Sequence, residues 1–366
     1  MQDLYKVLNN DERAVYSLRA LYKTYGYTQY KMSKFEEYDL YVKNKEFLVS
    51  DSVITFTDTD GKLMALKPDV TLSIIKNSKD FKDGVKKVFY NENVYRVSKG
   101  TRSFKEIMQV GLECQGDIDD YTVTEVLYLA SQSLDKISDS WVLDVSHLGV
   151  VFAVTDWLNL ENSEKRKLIS CLSEKNIDGI IDICQSQGVE QSKIDVITKL
   201  ASLYGSPEIV IKELKAIALP KPALSALEQL ELTVTELLRL DEKIKLNVDF
   251  SVVNDNGYYN GIVFKGFISG IPTSVLSGGQ YDLLMQKMGT DKKAIGFAVY
   301  LDALKKLKDE NSDYDVDTVI KYSVDTPLSK INDIIKEQNA ESVLAVKVLP
   351  EKLTYRKLID LTKENC

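Results

Sequence analysis

Residues 86–116, KKVFYNENVYRVSKGTRSFKEIMQVGLECQG, carry the pattern that decides the fold. Two long runs rich in Val, Ile, Phe and Tyr lie on either side of the polar stretch KGTRS at 99–103. Runs of β-branched and aromatic residues that meet across a short polar stretch containing glycine are typical of a β-hairpin. The segment therefore predicts a pair of long antiparallel strands.

The segments around this hairpin predict alternating helices and strands. On its N-terminal side, apolar spacing predicts a helix over 10–28, and alternation around the Asp-Gly pair at 60–61 predicts a second hairpin. The run PDVTLSIIKN predicts a helix that begins at Pro68, where a missing N–H costs little. On the C-terminal side we expect a helix over 121–138, a strand with a turn in SWVLDVSHLGVV, and mainly helices from about 156 to 243.

Strand signals return in NVDFSVV, GIVFKGF, TSVLSGG and AIGFAVYL, and we interpret SGGQY at 277–281 as a glycine turn. After a linker at 309–315, alternating strands and helices that end in a helix predict a small α/β segment. The fold class that follows is α+β, with an antiparallel sheet flanked by helices. We expect a core over 1–308, which includes the helical insertion of about 156–243, and a C-terminal α/β segment over 313–366.

Composition excludes several classes of protein. Of the 366 residues, 44% are hydrophobic and 28% are charged, which is typical of a soluble globular protein. Because no apolar run approaches the roughly 20 residues that span a bilayer, and no signal peptide is evident, we expect a cytoplasmic protein with no membrane partner. The formal net charge of −8 makes nucleic acid an unlikely main partner, since phosphate binding depends on basic surface.

Residues that could carry metal, redox or nucleophilic chemistry are sparse. The four cysteines are scattered and form no CxxC pair, which favours free thiols in a reducing compartment. His147 is the single histidine, and one histidine at the end of a strand is more often structural than catalytic. The glycine-rich nucleotide motifs and the GxSxG motif are absent. We therefore expect no metal site and no cofactor.

Polar residues within otherwise apolar strands are the more informative set. Gln109 and Glu113 lie four residues apart and therefore point to the same face of a strand. Asp69 and Thr71 could be simple helix caps, or they could join that face in a pocket that offers carboxylates to an ammonium or an imidazolium. Two adjacent tyrosines in NDNGYYNGIVFKG would complete this pocket: Tyr258 and Tyr259.

A basic cluster lies at the tip of the first hairpin, in a chain that is otherwise acidic. Its members are Arg96, Lys99, Arg102 and Lys105. They are either a solvated hairpin tip or an anion-binding loop for phosphate or carboxylate. Composition leaves both interpretations open.

The order of these segments resembles the catalytic core of class II aminoacyl-tRNA synthetases, and of histidyl-tRNA synthetase in particular. The resemblance covers about 10–305 and implies a six-stranded antiparallel sheet, normally in a dimer. It implies that the amino-acid pocket is kept, because the family's HQxGxExxG is Met108–Gly116 here, with Gln109 and Glu113, and the family's tyrosine pair is Tyr258 and Tyr259. The family's LRPEGT is Leu66–Thr71, with Asp69 in place of Glu, and Arg96 matches the arginine of the second class-defining motif.

The same resemblance implies that the catalytic positions are lost. The family's FRxE ends here in Ser98, its RGLDYY begins with Asn254, and its GLERL has Leu304 at the end without the preceding arginine. Phosphoryl activation depends on preorganised positive charge around the transition state. We therefore expect no catalytic residues in this chain.

A retained pocket beside lost catalytic positions is similar to the histidyl-tRNA synthetase-like regulatory subunits of ATP phosphoribosyltransferase, the first enzyme of histidine biosynthesis. That resemblance implies a chain that is not an enzyme by itself and a short catalytic subunit as partner, in a hetero-octamer. It also implies self-association as a dimer, and histidine as the effector of feedback inhibition. The alternatives are a divergent synthetase-like or ligase-like enzyme that adenylates an amino acid, and a tRNA-binding sensor module.

Overall fold

The computed structural model of the protein describes residues 8–44, 53–78, 84–97, 103–253, 258–304, 314–338 and 342–363. Ala14–Lys306 form one compact unit, and Met1–Arg13 with Leu307–Cys366 form a second. No helix in these described ranges is long and apolar enough to cross a membrane.

The chain begins with two helices and several short strands, and a third helix and the long hairpin follow. In chain order they are α1 (Asn10–Thr24), β1 (Thr28–Gln29), β2 (Phe35–Glu37), α2 (Tyr38–Val42), β3 (Thr55–Thr57), β4 (Leu63–Leu66), α3 (Thr71–Lys76), β5 (Val85–Val97) and β6 (Phe104–Gly116). Strands β5 and β6 pair antiparallel over their whole length, from Val85 opposite Gly116 to Val97 opposite Phe104. The predicted hairpin is confirmed.

Helices dominate the middle of the chain. In chain order the elements there are α4 (Asp120–Asp135), β7 (Trp141–His147), α5 (Leu148–Trp157), α6 (Asn162–Ser173), α7 (Ile177–Ser186), α8 (Gln191–Ser202), β8 (Tyr204–Gly205), α9 (Pro207–Lys215) and α10 (Lys221–Leu240). The turn predicted after β7 is wrong, because α5 begins there directly. His147 caps that helix by accepting a hydrogen bond from the backbone N–H of Gly149.

The remaining elements of the larger unit return to the sheet. They are β9 (Leu246–Asp249), β10 (Ile262–Ile268), β11 (Leu276–Gln280), α11 (Asp282–Lys287), β12 (Lys293–Tyr300) and α12 (Leu301–Leu304). The glycine turn predicted at 277–281 is wrong, because Gly278 and Gly279 lie inside β11. A Cβ atom at Gly278 would lie 2.4 Å from the carbonyl oxygen of Gly296, so glycine serves close strand packing there.

These strands form one nine-stranded sheet in the order β1-β5-β6-β12-β11-β10-β7-β9-β8. The six strands from β5 to β7 pair antiparallel throughout, as predicted. Strands β1 and β9 add parallel edges to this centre, and β8 pairs antiparallel with β9. A second, three-stranded antiparallel sheet has the order β2-β4-β3, with β3 and β4 joined across the predicted Asp-Gly turn.

Helices α1 and α4 cover one face of the large sheet, which we call the back face. The Tyr22 ring of α1 lies 6.1 Å from the ring of Phe89 and 6.0 Å from that of Phe297. The Tyr22 hydroxyl also shares a 3.0 Å hydrogen bond with Ser133 of α4. Because side chains alternate along each strand, the residues between these core positions point to the opposite, front face.

Among its described residues, the smaller unit has a three-stranded parallel sheet, one α-helix and one short 3-10 helix. Its elements are β13 (Val316–Lys321), α13 (Leu328–Glu337), β14 (Val343–Val346) and β15 (Tyr355–Asp360), in the strand order β14-β13-β15. In place of a long final helix, the C-terminal part has β15 followed by a short 3-10 helix at Leu361–Lys363, so the predicted helix is wrong over Tyr355–Asp360. Its apolar spacing fits either structure, and parallel pairing of β15 with β13 decides for a strand.

Candidate functional site

A cavity of about 280 Å³ opens over the front face of the central sheet. Elements from distant parts of the sequence build it: the segment before α3, the strands β5, β6, β10, β11 and β12, and the tyrosine pair before β10. All seven residues of the predicted amino-acid pocket line this cavity: Asp69, Thr71, Arg96, Gln109, Glu113, Tyr258 and Tyr259.

Glycines on the front face leave the floor of the cavity bare. A Cβ atom at Gly296 would lie 1.9 Å from Oε2 of Glu113 and 2.5 Å from the carbonyl oxygen of Leu112. A Cβ atom at Gly111 would lie 2.4 Å from the hydroxyl of Tyr90. The absence of these side chains allows the Glu113 carboxylate and the Tyr90 hydroxyl to lie across neighbouring strands.

Glu113 is the central acid of the cavity. Its Oε1 accepts a hydrogen bond from the Thr71 hydroxyl at 2.7 Å, and its Oε2 accepts one from the Tyr281 hydroxyl at 2.6 Å. Burial nonetheless raises the pKa of Glu113 to about 8, with a smaller contribution from the charge of Asp69. The carboxyl group is therefore held in place and ready to ionise beside a cationic ligand group.

Asp69 both caps the N-terminal end of α3 and lines the cavity. Its Oδ1 accepts a hydrogen bond from the backbone N–H of Leu72 at 2.9 Å, so the interpretation as a cap describes part of its function. The helix begins at Thr71, three residues later than predicted from Pro68. Burial raises the pKa of Asp69, although the Leu72 N–H and the charge of Arg96 oppose this rise.

Tyrosine side chains form much of the wall. The rings of Tyr258 and Tyr259 pack edge to face at 4.7 Å, and those of Tyr258 and Tyr281 lie 5.7 Å apart. Burial raises the pKa of all three hydroxyls well above its usual value. They remain neutral at physiological pH, and they offer hydrogen bonds and flat ring surfaces to a ligand.

The structure adds wall residues that the sequence did not reveal: Tyr90, Lys265, Ser277, Tyr281 and Tyr300. Alternation along β6 places Gln109, Gly111 and Glu113 on one face but reveals none of these five residues, because they lie outside that strand. Tyr281 was hidden by the interpretation of its segment as a glycine turn. Lys265 and Ser277 are paired across β10 and β11, and this register does not follow from sequence spacing alone.

The described residues include only part of the predicted anion-binding loop. Lys105 lies exposed on β6, opposite Arg96, and it does not line the cavity. Lys99 and Arg102 lie outside the described residues, as does the Asn254–Gly257 segment before the tyrosine pair. The anion-binding role of this loop stays a prediction.

His147 lies away from the cavity, at the junction of β7 and α5. Its Nδ1 accepts the Gly149 N–H at 3.0 Å, and its Nε2 lies 3.2 Å from Oε1 of Gln229. Burial lowers the pKa of His147 to about 4, which keeps the ring neutral. These contacts give the histidine a structural role.

Metal-ligating side chains do not cluster in the part of the chain that the structure describes. No group of three His, Cys, Asp or Glu residues in it could hold a metal ion. Cys114, Cys171 and Cys184 are free thiols.

Comparison with known proteins identifies relatives of the whole core. Residues 4–304 match the family model described as histidyl-tRNA synthetase. The chain is 30% identical over 306 residues to the ATP phosphoribosyltransferase regulatory subunit of Clostridium kluyveri, covering 81% of this chain and 78% of that protein. It is 28% identical over 289 residues to the protein of the same name from Oceanobacillus iheyensis, covering 78% and 70% of the two chains.

Solved structures share the fold. An ATP phosphoribosyltransferase regulatory subunit/histidyl-tRNA synthetase from Bacillus halodurans has a TM-score of 0.77 at 22% identity, over 98% of this chain and 95% of that chain. A chain of the ATP phosphoribosyl transferase (HisG:HisZ) complex from Thermotoga maritima has a TM-score of 0.62 at 19% identity, over 80% and 97%. These similarities confirm the predicted class II synthetase-like fold.

Proposed function

The chain belongs to the histidyl-tRNA synthetase family, among the ATP phosphoribosyltransferase regulatory subunits, and from that membership we propose its function. It acts as the regulatory subunit of an ATP phosphoribosyltransferase, and it transmits feedback inhibition by histidine. The observation that carries this proposal is the cavity around Glu113, which keeps every residue predicted to hold an amino acid. The 30% identity to a regulatory subunit supports the same role.

The cavity suits the chemistry of histidine. The carboxylates of Glu113 and Asp69 can bind a cationic ammonium or imidazolium group, and the ring faces of Tyr258 and Tyr259 can stack on a flat ring. The volume of about 280 Å³ lies just below the roughly 300–1,000 Å³ of pockets for drug-sized ligands, which favours a single amino acid. We propose that the seven residues predicted from the sequence bind histidine here.

The chain is not an enzyme by itself in this proposal. Ser98 replaces an acid of the family's motifs that helps to orient ATP, and Asn254 replaces an arginine whose positive charge would stabilise an adenylation transition state. The glycosyltransferase activity resides in a short catalytic subunit. We propose that both chains assemble in a hetero-octamer in the cytoplasm, with this chain also self-associating as a dimer.

The domain organisation stays part of the proposal. The core covers 1–308 with the helical insertion of about 156–243, and 313–366 form the C-terminal segment. Helices α6–α10 come between β7 and β9 in the sequence, and β13–β15 form a sheet of their own, which supports the insertion and the C-terminal segment. The grouping of Met1–Arg13 with Leu307–Cys366 differs from the proposed N-terminal bound of the core.

Reconstitution tests the function. Purified catalytic subunit is assayed for ATP phosphoribosyltransferase activity alone, with the chain, and with the chain plus histidine. We expect the chain to raise activity and histidine to lower it, with an allosteric coupling of about 1–3 kcal/mol. Unchanged activity in both additions would reject the proposal. Pyrophosphate exchange dependent on an amino acid, measured on the chain alone, would instead support the adenylating enzyme.

A further inference from the structure

Lys265 is a basic residue of the cavity to which neither the family motifs nor the comparisons assign a role. It lies on β10 and lines the same cavity as Glu113. Apart from Arg96 it is the only Lys or Arg among the described residues that line this cavity. Lys265 is half-buried, and a charged group that is withdrawn from water needs a compensating anionic or polar partner.

The two basic side chains have different surroundings. Arg96 donates from Nε to the carbonyl oxygen of Pro68 at 3.0 Å, and its charge acts on the Asp69 carboxyl, whose pKa rise it opposes. Within the described ranges, the ammonium of Lys265 forms no ion pair and no side-chain hydrogen bond, and the Asp144 carboxylate directly opposite it on β7 accepts a hydrogen bond from the side-chain amide of Asn247 instead. Arg96 is thus engaged within the protein, whereas Lys265 forms no direct ion pair with the opposite Asp144 and its ammonium can bind a ligand.

The strand register places Lys265 between the buried Asp144 of β7, directly opposite it on one side, and a row of small residues on the other. Lys265 lies opposite Ser277 on β11, Ser277 opposite Ala298 on β12, and Ala298 opposite Gly111 on β6. Since directly paired residues project to the same side of a sheet, this row forms bare floor between Lys265 and the strand that carries Glu113. The long, flexible lysine side chain can extend over that floor toward a ligand.

The cavity therefore has Glu113 and Asp69 on one side and, on the other, a lysine that forms no ion pair with any of the described residues. A ligand whose cationic group lies at Glu113 presents its opposite end toward Lys265. We propose that Lys265 is a specificity-determining residue, which binds the carboxylate of the ligand. The cavity then accepts an α-amino acid with a free carboxylate and discriminates against the decarboxylated amine.

This inference rests on the proposed binding of histidine, and one pair of ligands separates it from that proposal. Histamine lacks only the carboxylate of histidine. Isothermal titration compares both ligands on the unsubstituted chain and on Lys265→Gln, for the chain alone and for its complex with the catalytic subunit. Lys265→Arg is the matched variant that keeps the charge, and circular dichroism verifies that each variant is folded.

We expect Lys265→Gln to weaken histidine about tenfold, equivalent to about 1.4 kcal/mol, and to change histamine less than twofold. Lys265→Arg should recover most of the histidine affinity. Equal effects on both ligands, or unchanged histidine binding, would overturn the role of Lys265 and leave the proposed function intact. Absence of histidine binding to the unsubstituted chain and its complex would overturn both.

A phosphate group shares the anionic chemistry of a carboxylate, and AMP provides the corresponding probe. The carboxylate assignment predicts that Lys265→Gln changes AMP binding less than it changes histidine binding. A variant that loses AMP affinity and keeps histidine affinity would reassign Lys265 to a nucleotide phosphate and overturn the proposal.

Discussion

Glu113 and His147 are two buried ionisable residues whose surroundings differ in one decisive way. Their exposed fractions are 3% and 6%. Burial raises the pKa of Glu113 and lowers that of His147, and both shifts favour the neutral form of the side chain. Both groups also have two hydrogen-bond partners. Only Glu113 borders a cavity, whereas His147 is enclosed between β7, α5 and α10. Burial and a shifted pKa therefore do not distinguish a binding site from a structural contact, and open volume does.

The largest effect is expected from a methyl group added to each region. Gly296→Ala places Cβ against the Glu113 carboxylate and the Leu112 carbonyl, so we expect histidine binding to fall at least a hundredfold by titration. Gly149→Ala is the matched change beside His147, with Cβ 2.9 Å from its Nδ1. It should lower stability by about 1–3 kcal/mol and leave histidine affinity unchanged. Equal losses of binding would erase the distinction between the regions.

Removal of the carboxylate charge is expected to have the next largest effect. Glu113→Gln should weaken histidine by about 10–100-fold, because a hydrogen bond to a charged group contributes about 1.5–3 kcal/mol. Glu125 supplies the control, since it is also buried and pairs with Lys87 on another part of the molecule. Glu125→Gln should reduce the melting temperature and keep the affinity. Titration of both variants with histidine decides the outcome.

The two residues also predict opposite dependences of stability on pH. The folded-state pKa of Glu113 is raised from 4.5 to about 8, so the folded state binds more protons than the unfolded state between these values, and its stability falls as pH rises. His147 has its pKa lowered from 6.5 to about 4, so its contribution is lost as pH falls from 6.5 to 4. Each slope is at most about 1.4 kcal/mol per pH unit.

Urea unfolding between pH 4 and pH 9 separates these contributions. Glu113→Gln should remove the loss of stability on the alkaline side, and His147→Gln should remove the loss on the acid side. A variant with the same pH profile as the unsubstituted chain would show that the residue does not titrate as described.

The smallest effect is expected at the helix cap. His147→Ala removes the acceptor for the Gly149 N–H and should cost about 0.5–2 kcal/mol of unfolding free energy. His147→Asn restores a side-chain acceptor and should recover part of that loss. Histidine affinity should not change in either variant. Weaker binding in both would mean that His147 acts on the cavity after all.

The sequence predicted those parts of the fold that depend on local patterns. The β5–β6 hairpin, the Asp-Gly turn and the helices of the insertion follow from alternation, turn residues and helical spacing. The errors arise where long-range pairing decides. Strand β15 has spacing that also fits a helix, and the Gly278-Gly279 pair resembles a turn until close packing with β12 is known.

The residues of the site also divide into those that local spacing or family motifs predicted and those that depend on long-range strand pairing. Gln109 and Glu113 could be placed on one face from their spacing, and family motifs supplied Arg96 and the tyrosine pair. Tyr90 and Lys265 required the register of strands that are far apart in sequence. A cavity wall assembled from several strands cannot be inferred from any one of them.

The most direct test of the central claim is the histidine concentration that half-inhibits the reconstituted ATP phosphoribosyltransferase. It is measured with the unsubstituted chain and with Glu113→Gln. If histidine acts through the cavity, the variant still activates the catalytic subunit, and the half-inhibitory concentration rises at least tenfold. The same half-inhibitory concentration for both chains would contradict the account, because it would place the effector outside this cavity.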